Sequence, residues 1–504
     1  MNRTTTYTYD ALNRQVSVKD PLNHVTTTNY DSVGNVTTIT DPLNNTTTYS
    51  YDALNRVNAV TNAEGNTVTT EYDGMGNVVG VTDELGRTTE FGYNERNEQT
   101  SVTNALGYTT KSEYDSAGNL ISVTDARGNT TSYEYDKLNR LISEIDANNQ
   151  DVNYQYDGAS QLKSAFDPDS AYSYQYDLAG RLTQVDNVST TNVPNVVFNY
   201  TYDPVDNLTQ VTDSIDGVER GIETFAYDEL DRVTSITQSG NGVEDKRVDY
   251  TYDAASQMTQ VSRYKDLAGT QPVAESNYKF DEAGSLTELT HNSDGETISA
   301  YEWAYDQANR ITQATSPDGT SDYNYDKTDQ LTDAEHSYQE DESYTYDENG
   351  NRKGYGYVTG ENNQLLSDGK YNYEYDSEGN RTKRTSIATG EVTNYSWDYR
   401  NRLTGVVTKD SGGNVIKQAD YTYDVFDRRI GKSVDSNGDG VAEKVEKFVY
   451  DGDHIALVFD GEGNQIERFF HGTGVDSVIA QENASGKVLW ALTDNQGSVR
   501  AIRS

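Results

Sequence analysis

One short segment has the residue types and the spacing of a calcium-binding loop. Residues 435–446 read Asp-Ser-Asn-Gly-Asp-Gly-Val-Ala-Glu-Lys-Val-Glu, which fits the pattern Asp-x-Asn-x-Asp-Gly followed by five residues and a glutamate. Alternate positions of such a loop point oxygen atoms at one centre, and a glycine takes its sharpest bend. The sequence therefore predicts a candidate calcium site whose ligands are Asp435, Asn437, Asp439, the Val441 carbonyl and Glu446.

The segments on either side of this loop exclude one type of calcium site. Residues 429–434 and 444–450 have the alternation of strands, so the segment is not a helix-loop-helix calcium site. Alternation also places Glu446 on the face of Phe448 and Tyr450, which makes Glu443 a rival ligand. The alternative interpretation is an ordinary acidic, glycine-rich hairpin loop, and no cofactor other than calcium is indicated.

The dipeptide Tyr-Asp recurs along the whole chain and offers a row of carboxylates. An aspartate follows the repeat aromatic in nineteen of twenty units, whereas a catalytic site would occur once. Aspartate at the start of a tight turn accepts hydrogen bonds from the following backbone amides. We therefore predict a structural role for these pairs, among them Tyr9, Asp10, Tyr30, Asp31, Tyr51, Asp52, Tyr72, Asp73, Tyr114, Asp115, Tyr135, Asp136, Tyr156 and Asp157.

No catalytic residues are predicted. The five histidines lie in different units, without a Ser/His/Asp or His/Glu spacing that links them, at His24, His291, His336, His454 and His471. An exposed tyrosine row is able to stack sugars, but stacking between neighbouring hairpins is the favoured interpretation. The chain is predicted not to be an enzyme.

The period of the repeat predicts the fold. The first eight units follow at steps of 21 residues, and later steps range from 20 to 29. Seventeen of the twenty residues four places after the repeat aromatic are Gly, Asn or Asp, the types that tolerate a positive φ. A second turn follows about half a period later, so each unit is a β-hairpin.

Single hairpins are marginal in water, so the units must pair edge to edge. Because strand twist accumulates, some forty strands cannot form a flat sheet. The fold class is therefore all-β, a repeat array of antiparallel β-hairpins forming a spiralling β-sheet shell. We divide it into regular repeats at 1–186, irregular repeats with longer loops at 187–430, and a last repeat with its C-terminal continuation at 431–504.

Composition restricts the interior and the partners. Hydrophobic residues make up only 34% of the chain, so we expect the inside of the coil to be wet or to hold another polypeptide. A formal charge of −42 argues against nucleic acid and anionic lipid. No membrane span or signal peptide is recognised, so an export signal is expected outside this chain.

The repeat resembles the YD (RHS) repeat of the Rhs and teneurin-like YD-shell family. The unit at Tyr51–Asn62 and the stretch Tyr30–Val36 carry its pattern, and residues 468–476 and 490–500 resemble the approach to the Rhs-associated core. The resemblance implies a β-spiral cocoon that encloses a C-terminal effector in bacterial Rhs and toxin-complex proteins. The core-closing motif and the variable toxin tip of that family are not found before Ser504, so effector activity and autocleavage are not expected here.

The expected function is a structural shell segment of a secreted or cell-surface protein, enclosing or presenting its own C-terminal effector or another polypeptide in toxin delivery. The alternative is an adhesion module that binds a cell-surface glycan or protein. Its binding loops would be the longer connectors at 187–199, 239–247 and 265–276.

Overall fold

The fold is built from β-strands and the turns between them. The computed structural model describes residues 4–21, 23–105, 107–126, 128–147, 151–187, 190, 193–347, 350–360, 363–376, 379–398, 400–474 and 477–504. No α-helix occurs in these ranges, and they hold no helix with the length and apolarity needed to cross a bilayer. The all-β prediction is confirmed.

The first eighteen strands are four to six residues long and follow the regular repeat. They are β1 Thr6–Tyr9, β2 Gln15–Lys19, β3 Val25–Tyr30, β4 Val36–Thr40, β5 Thr46–Tyr51, β6 Val57–Thr61, β7 Thr67–Tyr72, β8 Val78–Thr82, β9 Thr88–Tyr93, β10 Gln99–Thr103, β11 Thr109–Tyr114, β12 Leu120–Thr124, β13 Thr130–Tyr135, β14 Leu141–Ile145, β15 Asp151–Tyr156, β16 Leu162–Phe166, β17 Ala171–Tyr176 and β18 Leu182–Asp186.

The next strands are mostly longer, up to ten residues. They are β19 Val196–Tyr202, β20 Leu208–Ile215, β21 Val218–Tyr227, β22 Val233–Gly240, β23 Val243–Tyr252, β24 Met258–Tyr264, β25 Pro272–Phe280, β26 Leu286–Ser293, β27 Glu296–Tyr305, β28 Ile311–Ser316, β29 Gly319–Tyr325, β30 Leu331–His336 and β31 Glu342–Ser343. We call β1–β31, which form one sheet, the wall.

A short two-stranded pair and a second, fourteen-stranded sheet follow the wall. Their strands are β32 Thr345–Tyr346, β33 Arg352–Lys353, β34 Tyr357–Thr359, β35 Leu365–Asp368, β36 Tyr371–Tyr375, β37 Arg381–Ser386, β38 Val392–Trp397, β39 Leu403–Lys409, β40 Val415–Tyr423, β41 Arg429–Asp435, β42 Lys444–Asp451, β43 His454–Phe459, β44 Gln465–His471, β45 Val478–Asn483, β46 Val488–Thr493 and β47 Val499–Arg503. We call β43–β47 the inner layer.

Within each sheet, every strand pairs antiparallel with its neighbours in the chain. β5, for example, pairs with β4 through Thr48 and Thr38 and with β6 through Tyr49 and Val60. The register shifts by one residue at the repeat tyrosine, as between Ser50 and Tyr51, because a bulge precedes each turn. The hairpin array predicted from the period is confirmed.

The turns after the repeat aromatic have the predicted left-handed residue in nineteen of the twenty units. Asn55 has φ 62°, and even the serines Ser160 and Ser256 take φ 67° and 71° at this position. The exception is His454, because the turn before it is shorter and Gly452 carries the positive φ of 58°. The position four residues after the repeat aromatic therefore determines the positive φ more strictly than the residue type does.

The chain coils back on itself about every 250 residues. We call the turns that follow the Tyr-Asp dipeptides the first edge, and the turns half a period later the second edge. Glu64 on the second edge makes a bidentate contact of 2.7 Å with Arg310 on the first edge. The Ser170 hydroxyl oxygen accepts a hydrogen bond of 2.6 Å from the Val425 amide, 255 residues later. The second edge of one turn of the coil thus meets the first edge of the next.

A dry core lies between the wall and the inner layer. Strands alternate two faces, and the tyrosine face of the wall is the one on which the inner layer packs. Ile236, Val248 and Tyr250 on the wall meet Phe470 and Trp490 of the inner layer, all of them buried. The expectation of an interior with too little apolar volume is wrong at this end of the coil, because the chain's own C-terminal strands supply that volume.

The opening repeats of the wall have no such cover. Among the described residues up to 147, only Gly80 and Ser143 are buried. The tyrosine face of β1–β14 is therefore uncovered and partly solvated, as the composition predicts for this stretch.

Candidate functional site

The carboxylates of the repeated aspartates accept hydrogen bonds within their own turns. The carboxylate of Asp52 accepts hydrogen bonds from the Leu54 and Arg56 amides at 2.8 and 3.0 Å and from Arg56 Nε at 2.7 Å. These bonds, above all the one from the Arg56 amide, hold the pKa of Asp52 below its usual range. An aspartate with this set of donors is a turn element.

The repeat tyrosine joins each hairpin to the one before it. Tyr72 donates a hydrogen bond of 2.8 Å from its hydroxyl to the Val57 carbonyl oxygen, and the Arg56 guanidinium lies 4.4 Å from the centre of its ring. The same arginine donates from Nη1 to the Asp73 carbonyl oxygen at 3.0 Å. A hydroxyl–carbonyl bond of this kind recurs at Tyr30, Tyr51, Tyr93, Tyr114, Tyr135, Tyr156, Tyr176, Tyr202, Tyr227, Tyr252, Tyr305, Tyr325, Tyr346, Tyr375, Tyr423 and Tyr450.

Stacking between the rings of successive repeat tyrosines, expected from the sequence, is wrong. Among the described residues no ring contact joins two consecutive repeat tyrosines, and the aromatic contacts cluster elsewhere, as between Tyr301 and Trp303. Repeat tyrosine rings such as those of Tyr30, Tyr72 and Tyr156 contact an arginine guanidinium instead. They also lie on the face that the coil turns inward, so they offer no row of platforms to a sugar outside.

We predict a measurable loss of stability for Tyr72→Phe. Removing the hydroxyl leaves the Val57 carbonyl without this donor, which should cost about 1 kcal/mol. Tyr49→Phe is the matched control, because Tyr49 shares the face but makes no hydroxyl hydrogen bond within the described residues. Urea unfolding of both variants checks the prediction, and equal midpoints for the two would contradict it.

The structure brings three acidic side chains of the predicted calcium loop together. Ligand oxygens of Asp435, Asp439 and Glu443 all lie within 4.8 Å of one another. Asn437 is tied to the same group, since its Nδ2 donates to Glu443 Oε1 at 2.5 Å. Asp435 accepts the Gly438 and Gly440 amides at 2.6 and 2.7 Å, which keeps the loop tight.

The remaining two residues of the predicted ligand set are Glu446 and Val441. Glu446 is wrong as a ligand, because it lies directly opposite Lys432 in the ladder and its carboxylate contacts Lys432 and Lys444 at 3.2 and 2.7 Å. Its place in the acidic group is taken by Glu443, the rival named from the sequence. Val441 lies within the loop with an exposed side chain, and its amide donates to Asp439 Oδ1 at 2.8 Å.

Two of the histidines are hydrogen-bonded to serines on the neighbouring strand. Ser276 lies opposite His291 and Ser321 lies opposite His336 in the ladder, with hydroxyl to Nδ1 distances of 2.8 and 2.7 Å. Each pair is fifteen residues apart, a spacing set by hairpin register that no sequence motif reveals. Both serines are buried, at 0% and 2% exposure, so these pairs are cross-strand hydrogen bonds without access for a substrate.

His291 also fastens the inner layer to the wall. Its Nε2 lies 3.0 Å from the Thr493 carbonyl oxygen of β46. A carbonyl only accepts, so Nε2 carries the proton and Nδ1 accepts from Ser276. Burial lowers the pKa of His291 to about 4.

We predict that acid loosens this contact. An unfolded histidine has a pKa of about 6.5, so the contribution of His291 is fully present above pH 6.5 or so and is lost as the pH falls toward about 4. Amide exchange in β46, corrected for intrinsic rates, should accelerate between pH 7 and pH 5. The variant His291→Asn should remove most of this pH dependence, and an unchanged profile in that variant would contradict the assignment.

Buried ion pairs hold the rest of the inner layer. Arg468 of β44 donates to both carboxylate oxygens of Asp213 at 2.6 and 2.9 Å, and both side chains are buried. A Cβ on Gly221 would lie 2.0 Å from that carboxylate, so only glycine fits beside the pair. Lys246, fully buried, pairs with Glu482 of β45.

The connectors named as binding loops are only partly loops. Residues 239–240 and 243–247 belong to β22 and β23, and 272–276 belong to β25. Four residues of the first connector lie outside the described ranges, and Asn187 at its start is buried and accepts from the Val196 amide at 2.7 Å. These connectors are extensions of hairpins, because the strands of the middle region are longer than 21-residue spacing predicts.

Family models match almost the whole chain. The model described as RHS Repeat matches residues 30–67, 72–109, 114–151 and 156–191, and the model described as Teneurin YD-shell matches residues 186–318 and 265–504. The second model alone covers more than half of the chain.

Curated relatives are similar over part of their length. The probable deoxyribonuclease RhsB of Dickeya dadantii is 26% identical in an alignment of 228 residues, which covers 43% of this chain and 13% of that protein. The tRNA3(Ser)-specific nuclease WapA of Bacillus spizizenii is 29% identical in an alignment of 197 residues, which covers 33% of this chain and 8% of that protein. The chain thus spans a small fraction of these proteins.

Solved structures show the same fold. The crystal structure of TcdB2-TccC3-TEV superposes with a TM-score of 0.69 at 13% identity, over 99% of this chain and 31% of that one. The structure of TcdB2-TccC3 without hypervariable C-terminal region gives 0.68 at 14% identity, over 99% and 29%.

Proposed function

This chain belongs to the teneurin YD-shell family, and on that basis we propose that it is a wall segment of a shell that encloses an effector polypeptide of the same longer protein. The observation that carries the proposal is the direction of coiling. The wall turns its tyrosine face inward, and the part of that face on β1–β14 is not covered by the chain's own strands. An uncovered, partly apolar inner surface is suited to contact with a second polypeptide.

We assign the chain itself no catalytic role. The nuclease names of the curated relatives belong to proteins of which this chain matches 13% or less. The serine–histidine pairs are buried and the aspartates are held in turns. A shell that carries an effector to other cells is exported, so we propose a secreted or cell-surface location for the whole protein.

Photocrosslinking from opposite faces of one strand tests the enclosure. A reporter domain is fused after Ser504, and a photoreactive residue replaces Tyr133 on the tyrosine face or Glu134 on the other face of β13. We expect crosslinks to the reporter from position 133 and none from position 134. Crosslinks from position 134 alone, or from neither position, would contradict enclosure by this face.

We further propose that the loop at 435–443 binds calcium through Asp435, Asn437, Asp439 and Glu443. The close approach of three carboxylates supports this assignment. Titration calorimetry with calcium should show binding to the wild type and to Glu446→Gln, and none to Glu443→Gln. Absence of heat in the wild type would end the proposal, and equal loss in both variants would show that the ligand set is wrong.

A further inference from the structure

The second sheet turns its tyrosine face away from the wall. Val449 and Leu457 of this sheet lie in one buried cluster with Phe198 of the wall. Neighbouring residues of a strand point to opposite faces, so Phe448, two residues before the repeat tyrosine Tyr450, points away from that cluster. The tyrosine face of the second sheet therefore borders the space that the coil surrounds.

Two positions on the tyrosine face, six and nine residues after the repeat aromatic, differ between the wall and the second sheet. In the fifteen units of the wall, none of these thirty residues is basic, and Glu144 is the only charged one. In the second sheet, the units that start at residues 375 and 423 have a basic residue at both positions, namely Arg381, Arg384, Arg429 and Lys432. These two units thus carry cations where the wall carries mostly apolar side chains.

The register of the second sheet places these cations on one surface. Arg384 lies directly opposite Tyr373, and Lys432 lies directly opposite Tyr421. Lys417, an exposed side chain, lies in the same cross-strand row as Arg384, with one threonine of β38 and one of β39 between them. We call this surface the basic patch, and its members are Arg381, Arg384, Lys417, Arg429 and Lys432. It extends from β37 to β41 over about 19 Å, since four strand spacings of about 4.8 Å separate these strands.

The arginines of β37 are held by tyrosine rings and have no carboxylate partner. The guanidinium of Arg381 lies 4.3 Å from the ring centre of Tyr373, and that of Arg384 lies 4.5 Å from the ring centre of Tyr371. Among the described residues neither guanidinium forms an ion pair, and the buried Nε of Arg381 makes no hydrogen bond. Stacking on a ring fixes the plane of a guanidinium and leaves an edge of it available to a carboxylate.

Two carboxylates lie close to the basic patch, and both have other partners. Glu446 forms ion pairs with Lys432 and Lys444, and Asp368 accepts a hydrogen bond of 2.7 Å from the Tyr373 hydroxyl. Neither of them forms an ion pair with the arginines of β37. This strand therefore carries uncompensated positive charge in a chain whose formal charge is −42.

We propose that the basic patch binds an acidic, extended segment of the enclosed polypeptide. Carboxylates of that segment pair with the guanidinium edges, which bind such groups with two parallel hydrogen bonds. Acidic residues about six positions apart in an extended segment reach both β37 and β41, because such a chain rises about 3.3 Å per residue. The proposal rests on the proposed function, because it names the chemistry of the polypeptide that the shell holds.

A labelled peptide tests this binding site on the whole chain. The probe is a capped nonapeptide of sequence Glu-Thr-Glu-Gly-Ser-Thr-Glu-Thr-Glu, and the control peptide has glutamine in place of each glutamate. The overall charge of the chain repels the probe, so binding requires the local excess of cations. We expect fluorescence anisotropy to show binding of the probe that weakens as salt is added, and no binding of the control peptide.

Matched variants locate the binding site on one face of β37. Arg384→Gln should weaken binding of the probe about tenfold, since it removes charge-assisted hydrogen bonds. Lys383→Gln removes the same charge from the other face of the strand, where Lys383 pairs with Glu374 at 2.9 Å, and should leave the affinity unchanged. Lys417→Gln changes an exposed side chain and should also weaken binding, so the test does not depend on the folding of the Arg384 variant.

Three results would overturn the binding site: no binding of the probe, equal binding of the control peptide, or equal losses in Arg384→Gln and Lys383→Gln. Crosslinking from position 133 to the fused reporter would in that case leave the shell function standing.

Discussion

Replacing Arg468 with alanine should release the inner layer from the wall. The substitution leaves the Asp213 carboxylate buried without its bidentate partner, and removal of one member of a buried pair costs about 3–5 kcal/mol. We expect a lower thermal midpoint and faster amide exchange throughout β44. The exchange of β1–β14, which do not touch the pair, should stay as in the wild type.

An exposed ion pair and a double variant control this experiment. Arg96 pairs with Glu98 at 2.8 Å while its side chain is 46% exposed, so Arg96→Ala should cost less than about 1 kcal/mol. The double variant Asp213→Ala with Arg468→Ala should be more stable than Arg468→Ala alone, because no unpaired charge remains. If Arg468→Ala and Arg96→Ala have the same effect, the pair does not anchor the inner layer.

Truncation of Phe470 should lower the free energy of unfolding by a similar amount. Its side chain has 0% exposure and packs in the cluster that contains Ile236, Val248 and Trp490. Loss of the ring combines the lost burial with a cavity, so we expect Phe470→Ala to cost about 3–5 kcal/mol. Denaturant unfolding followed by tryptophan fluorescence measures it, because Trp490 belongs to the same cluster.

The matching substitution on the uncovered wall is Phe91→Ala. Phe91 lies on the tyrosine face of β9, where no inner-layer strand covers it, and it is only partly buried. We expect Phe91→Ala to lower the free energy of unfolding by less than half as much as Phe470→Ala does. Equal losses at the two positions would mean that the inner layer does not create a core of its own.

Local features of the fold were predictable from the sequence because they repeat. A fixed offset of Gly, Asn or Asp after each repeat aromatic predicts the left-handed turn residue, and the structure places a positive φ even at Ser160 and Ser256. Alternation of aromatic and hydroxyl residues predicts strands with two faces. The antiparallel hairpin array follows from these two local signals alone.

Long-range features were not predictable in the same way. Arg468 and Asp213 lie 255 residues apart, and neither breaks the local alternation that a strand requires. The dry core was missed because average composition dilutes the apolar residues of β43–β46 over a polar chain. Ring stacking between units was expected because aromatic residues repeat, but the bond from Tyr72 to the Val57 carbonyl depends on a register that composition does not contain.

The acidic loop at 435–443 shows both a correct and an incorrect prediction. The spacing of Asp435, Asn437 and Asp439 follows from the loop alone, and the structure places these residues together. The ligand at the twelfth position of the pattern could not be predicted from the spacing. Glu446 already belongs to β42 and lies opposite Lys432 on the neighbouring strand. Glu443 replaces it because a β-hairpin closes the loop three residues earlier.

The wall can enclose a polypeptide only if it coils. A spin-label distance across one turn of the coil tests this most directly. The chain has no cysteine, so Ala63→Cys and Gln307→Cys place two labels next to the contact of Glu64 with Arg310. The coil predicts a narrow distribution at a short distance, because both labels lie next to a direct side-chain contact. A flat array would separate the labels by about 100 Å, since roughly 21 strand spacings of 4.8 Å lie between them. A broad distribution without the short distance would contradict the coil.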